Sequence, residues 1–225
     1  MSVARKLLVS AALTGSIGTA VIYYNIWDIH VIPLTATDPI FTSTDYKRSN
    51  PNNNPTIQDL HVIRVPLSQI DSGLANDPER LSARYCGAVW AGAAFAPQRL
   101  LHTWLGQPNP TKAQLWSSSE LLQSDYQVGT DIAASFEVVS RTTDSVLIRG
   151  GDSTSNRGLR PLDAFIEVTA RVDKENNVAV FGFKSLFFQG LGMTNKLPMP
   201  GPAVWLHELY AKMLLKSGVR YVLKQ

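Results

Sequence analysis

His207 and Tyr210 stand in the segment PAVWLHELYAKMLLKSG, Pro202 to Gly218, beside Trp205 and on a stretch that is otherwise mostly apolar. An imidazole in such surroundings suits a proton shuttle, and a tyrosine one turn further on suits a hydrogen-bond donor to a ligand oxygen. The competing reading is a surface histidine, or one satisfied by its neighbours. Glu208 follows His207 directly, but the second histidine of a zinc-protease helix is missing, so no metal motif forms there.

A second candidate lies in LDAFIEVTARV, Leu162 to Val172, where Asp163, Glu167 and Arg171 fall on one face at strand period. Paired carboxylates can do acid–base work, but a solvated outer face is the better account of them unless that face is concave. The remaining histidines, His30, His61 and His102, lie far apart along the chain, and no metal is expected among them. Cys86 is the single cysteine. It excludes an internal disulfide and a Cys-based zinc site, and with no basic neighbour clearly aimed at it, it reads as a packing residue.

The third feature is VAVFGFKSLFFQGLG, Val178 to Gly192, with Phe181, Phe183, Phe187 and Phe188. In a strand, Phe181, Phe183 and Phe187 share one face, opposite Val180, Leu186 and Phe188. Each buried phenylalanine contributes about 1.5–3 kcal/mol, so the cluster suits a plain core. It also suits the wall of an apolar cavity, with Gly182 letting a ligand approach the backbone, Trp90, Phe95 and Trp205 completing the lining, and His207 and Tyr210 as its polar pair.

These residues must be held by elements that the pattern outlines. Asp77-Pro78 opens a helix that runs to about Phe95, with Asp77 as cap and Pro78 at the first helical position. Its Gly87, Ala88, Ala91 and Gly92 make a thin, close-packing surface, and Pro97 separates it from a short segment, Gln98 to Leu105. Gln107 to Pro110 reads as a loop. HVIRVPL, His61 to Leu67, is a strand ending near Pro66. Strands follow at 135–140, 145–150, 162–172 and 177–189, separated by turn-forming groups, and the alternation in the third leaves one sheet face wet, with Phe165 as its exception. The last helix begins at Pro202 and carries Leu206, Leu209, Tyr210, Met213 and Leu214 as a stripe.

The order strand, helix, antiparallel strands, C-terminal helix resembles the α+β helix-grip architecture of START-like and birch-pollen-allergen-like proteins, in which a curved sheet wraps a long C-terminal helix over a cavity. Three pieces, FEVVSRTTDSVLIRGGDS, LDAFIEVTARVD with the following AVFGFKSLFFQGLG, and PAVWLHELYAKMLLKSG, resemble a domain-of-unknown-function family of bacteria and fungi. Such proteins tend to have a charged dipeptide after the aspartate of the LDAF-like segment and a basic residue beside the helix histidine; here Ala164-Phe165 and Glu208 stand instead. The resemblance implies a pocket for an apolar small molecule, such as a terpenoid, polyketide or lipid. It implies either a cofactor-free cyclase or isomerase of fungal specialised metabolism, pericyclic chemistry included, or a non-catalytic lipid or sterol carrier.

At 225 residues, 44% hydrophobic and 17% charged, the chain is long enough for one well-buried domain, placed here at 60–225. A net charge of +3 from scattered basic residues gives no nucleic-acid footprint. No GxGxxG after a strand, P-loop, GxSxG or Tyr-x-x-x-Lys occurs, so no nucleotide cofactor and no serine-hydrolase elbow is expected.

Ahead of the domain, Leu7 to Trp27 carries no charge, is preceded by Arg5-Lys6 and closes on Tyr23, Tyr24 and Trp27. The first 27 residues therefore read as a transmembrane-like, single-pass anchor in the endoplasmic reticulum or another endomembrane. A cleaved signal peptide, a mitochondrial presequence and a buried helix are the alternatives. This part, with the VIPLTATDP that follows, also resembles membrane-anchored uncharacterised proteins of filamentous fungi. The segment 28–59, with NPNNNP at its centre, reads as an extended stalk or surface loop.

Overall fold

The computed structural model describes residues 24–104 and 114–223. Most of the expected anchor, residues 1–23, and the loop at Gln107–Pro110 lie outside them. Among the described residues no helix is long and apolar enough to cross a membrane.

The chain is α+β, an eight-stranded curved sheet with a long C-terminal helix, consistent with a helix grip. The strands are β1 (His30–Val31), β2 (Thr56–Pro66), β3 (Gln114–Leu115), β4 (Asp131–Ile132), β5 (Phe136–Arg141), β6 (Ser145–Gly150), β7 (Asp163–Asp173) and β8 (Val178–Phe188). Their order across the sheet is β1-β2-β8-β7-β6-β5-β4-β3, antiparallel except for the β3/β4 pair. The register of β5 on β6 shifts between Val138 and Ser140, a bulge of the kind that bends a strand. Strands β5 to β8 fall within a residue or so of the bounds read from the sequence. The strand expected at His61 begins earlier, at Thr56, and spans eleven residues.

The helices are α1 (Pro39–Thr42), α2 (Thr44–Ser49), α3 (Ser72–Ala75), α4 (Pro78–Ala91), α5 (Ala96–Trp104), α6 (Ser118–Gln123) and α7 (Gly201–Val222). Asp77 caps α4 by accepting from Arg80 N at 3.0 Å, with Pro78 in the first turn. Helices α4 and α7 pack together over the concave face of the sheet, where Ile63, Val65, Ile166, Val168, Phe181 and Phe183 form the main core with Tyr85, Val89, Leu214 and Leu215. The helix pair is close because Gly218 has no side chain: a Cβ there would stand 2.6 Å from Val89 Cγ2. The small-residue surface expected on α4 is thus a helix–helix contact.

The opposite face is not wet along its whole length. Of segment 28–59, expected as a stalk or surface loop, residues 28–55 carry β1, α1 and α2 and pack Ile40 and Tyr46 onto Phe165, Leu186 and Phe188, and the rest begins β2. Tyr46 meets Phe188 edge-on at 5.3 Å. Two of the asparagines that read as loop formers, Asn50 and Asn54, are buried hydrogen-bonding groups instead. Asn50 Nδ2 donates to Tyr46 Oη and to Asn54 O, both at 3.0 Å, and Asn54 Nδ2 donates to Gln189 O at 2.6 Å. Phe165, the exception in the wet face, is the residue this strap covers.

Candidate functional site

Between the concave sheet face and α7 lies a cavity of about 510 Å³. Its wall is largely apolar, with Trp90 of α4, Phe136 of β5, Ile166 of β7, and Phe183 and Phe187 of β8. From α7 come Leu206, His207, Tyr210 and Leu214, the helical spacing that turns one face of α7 inward.

Of the residues singled out in the sequence, Trp90, Phe183, Phe187, His207 and Tyr210 meet around this one cavity. Phe95 stands a layer behind, edge-on to Trp90 at 5.0 Å. Phe181 lies deeper, against Tyr85 at 5.0 Å, and belongs to the core. Trp205 does not line the cavity: it is 56% exposed, because it follows the outward side of α7. Gly182 faces the outer side of the sheet, where an added Cβ would meet Thr169 Oγ1 at 2.4 Å. Its missing side chain makes room for a threonine, not for a ligand.

Asp163 and Glu167 also lie away from the cavity, on the outer face. Asp163 is fully buried and takes Arg149 Nε at 3.0 Å and Nη2 at 2.6 Å, with Arg160 Nη1 at 3.8 Å. Glu167 pairs with Lys184 Nζ at 2.6 Å, which also reaches Asp38 Oδ2 at 2.9 Å. Each carboxylate has its own cation, so both serve the fold. Cys86 is buried, and burial pushes its thiol up, away from reactivity.

His207 has partners that sequence reasoning missed. Its Nε2 lies 3.0 Å from Asp59 Oδ2, and His61 Nε2 lies 3.3 Å from Asp59 Oδ1. Asp59 and His61 project from β2 onto the same face as Ile63, two residues apart, and Ser185 of β8 is directly opposite Asp59 in register. Asp59, His61 and Ser185 are all buried. The two imidazoles approach the carboxylate closely but off-axis, and His61 Nδ1 and Ser185 Oγ have no hydrogen-bond partner among the described residues. Buried polar atoms without partners are rare, and each calls for a reason such as catalysis.

Burial alone would raise the Asp59 carboxyl, but His207 and then His61 outweigh it and hold it at about 2. An ionised carboxylate 3.0 Å from Nε2 favours the tautomer with the proton on that nitrogen and leaves Nδ1 of His207 as the open one. The His207 ring also meets Phe187 edge-on at 4.6 Å, which sets its plane. Tyr210 Oη donates to Gln98 Oε1 at 2.8 Å, and burial holds the phenol far above its usual pKa, hence neutral. Gln98 itself lines the cavity.

The Asp59–His61 spacing is a signal that was present in the sequence: a carboxylate and an imidazole two positions apart on one strand share a face. It was lost because the strand was started at His61. Among the described residues, no three of His, Cys, Asp or Glu are arranged to hold a metal ion. Compared with protein-family models, curated proteins and solved structures, the chain has no match.

Proposed function

We propose that the cavity binds a largely apolar small molecule and that the chain acts on it as a cofactor-independent cyclase or isomerase. The observation that carries this reading is the Asp59–His207 pair. An imidazole backed by a buried carboxylate at 3.0 Å borders a cavity of about 510 Å³ whose walls are otherwise mostly hydrocarbon. A terpenoid or polyketide held by those walls would be confined near a reactive conformation, and His207 would move a proton at an edge where Asp59 stabilises charge. The helix-grip arrangement supports a START-like reading of the fold, and with it the use of the sheet–helix space as a ligand site.

A carrier with the same pocket and no chemistry is the second reading. It is favoured by Leu206, which both lines the cavity and is 59% exposed, beside exposed Trp205: an apolar mouth suits loading from a bilayer. An anchor in residues 1–27 would hold that mouth near an endomembrane, and cell fractionation of the full chain tests it.

The two readings separate on one experiment. Native mass spectrometry of the full chain identifies what co-purifies, and that compound and its precursors are then incubated with wild type and with the double variant His207→Ala/Tyr210→Phe. Conversion by wild type alone supports the enzyme. A ligand recovered unaltered by both supports the carrier, and a chain that binds no apolar compound overturns the cavity reading.

A further inference from the structure

Tyr210 is backed by a chain of groups that leaves α7 altogether. Its hydroxyl donates to Gln98 Oε1 at 2.8 Å, Gln98 Nε2 faces His102 Nε2 at 3.4 Å, and His102 Nδ1 meets Ser135 Oγ at 3.1 Å. Gln98 and His102 sit one turn apart on α5, and Ser135 directly precedes β5. In the arrangement seen, His102 Nε2 accepts from the amide, so its proton is on Nδ1 and goes to Ser135. Burial lowers the His102 pKa and keeps the ring neutral.

Every member of this chain can both give and take a hydrogen bond: the hydroxyls by rotation, the amide by turning over, the imidazole by changing tautomer. In one polarity Tyr210 shows the cavity its lone pairs. In the reverse polarity, with Gln98 donating to Oη, the same phenol donates into the cavity. That is the behaviour required at an oxygen that is a carbonyl at one moment and an enol at the next.

His207 and Tyr210, three residues apart on α7, have Cβ atoms roughly 5–6 Å apart. The two groups can therefore reach neighbouring atoms of one bound molecule. Among the described residues the cavity lining has no lysine or arginine, so a carboxylate would meet no such counter-charge there. A simple alcohol would give His207 no acidic carbon to work on. Both facts select a neutral carbonyl compound.

We propose that the substrate is an apolar ketone or enone, that His207 removes a proton from the carbon next to the carbonyl, and that Tyr210 hydrogen-bonds the oxygen as it becomes an enolate. This rests on the acid–base reading given above and narrows it. The C–H bond breaks and its proton goes to Nδ1 of His207, while the electron pair forms the new C=C bond and the carbonyl π pair moves to oxygen. Asp59 stabilises the resulting imidazolium. Return of the proton to the same carbon restores the ketone, and, where the ketone is β,γ-unsaturated, return to the γ-carbon moves the double bond into conjugation. No oxidant, reductant or co-reactant is needed. His102 and Ser135 are positioning residues that set the polarity of Gln98.

The test uses the full chain in detergent micelles with straight-chain and cyclic ketones of about ten to fifteen carbons, sizes suited to such a pocket. Binding is followed by tryptophan fluorescence and α-deuterium uptake from D₂O by mass spectrometry. Wild type is expected to exchange the α-protons well above micelles alone, His207→Ala to lose this, and Tyr210→Phe to lower it roughly 100-fold. His102→Leu is expected to lower kcat with KM unchanged, and His102→Gln to restore part of it, which a merely structural role would not do. Ketones that bind but exchange no faster than in micelles overturn the enolisation and leave the binding reading standing. Failure of both ketones and matched alkanes to bind overturns the two together.

Discussion

His207 of the last helix and Asp59 of the second strand meet at 3.0 Å, with His61 at 3.3 Å on the other carboxylate oxygen. One charge therefore ties the C-terminal helix to the sheet at the edge of the cavity, behind His207. Its consequence is a measurable acid sensitivity. Asp59 titrates near 2 when folded against roughly 3.9 when unfolded, so the folded state favours the ionised form. The associated stability, about 2–3 kcal/mol, is present above pH ~4 and disappears as pH falls towards ~2. Asp152 and Asp173 are lowered as well, but by side-chain and backbone hydrogen bonds within their own loops. Asp59→Asn is expected to lower the melting temperature at neutral pH and to flatten the pH 4-to-2 part of the curve. Thermal unfolding of the two proteins across that range checks it, and parallel curves would refute the assignment.

On the outer face the Asp163 carboxylate is fully buried against Arg149 and Arg160. Removing the cation and leaving the anion is the costly change. Arg149→Ala is expected to destabilise by about 3–5 kcal/mol, and Arg149→Ala with Asp163→Asn by less than that single change. Urea unfolding of the single and double variants measures the difference.

A variant that blocks the cavity without touching its polar groups separates binding from folding. Ala164 is buried and lines the cavity wall. Ala164→Leu is expected to keep or raise stability by up to about 1 kcal/mol and to weaken binding of an apolar ligand at least tenfold. Calorimetric or fluorescence titration beside a melting curve gives both numbers.

The strap of residues 28–55 is expected to behave as part of the domain. Tyr46 packs on Phe188 and takes a hydrogen bond from Asn50. Tyr46→Ala should cost about 3–4 kcal/mol, as for other buried aromatics, and expose the outer face to a hydrophobic dye. A stalk residue would cost nearly nothing.

Much of this was legible in the chain. β7 and β8 follow from uninterrupted strand period between clear turns, and the apolar stripe of α7 placed Tyr210 towards the sheet. The buried polar cluster behind His207 was not, because Asp59 lies in a strand whose first residues follow NPNNNP and read as loop. Gln98 and His102 were missed for a different reason. Their partners, Tyr210 and Ser135, are remote in sequence, and no local pattern tells where a short helix after a proline break will dock. The strap escaped notice because asparagine is a turn former by propensity, and only tertiary burial turns it into a cross-linking amide.

The strap also fixes how force would enter the molecule. His30 and Val31 are zipped to Val62 and His61, Asp28 holds Lys216 of α7 at 2.5 Å, and β2 is the strand that carries Asp59. A load arriving from ahead of Tyr24 would not be absorbed by a slack tether. It would pull on the very strand and helix between which His207 and Asp59 are clamped, so tension and the geometry of that pair are mechanically linked.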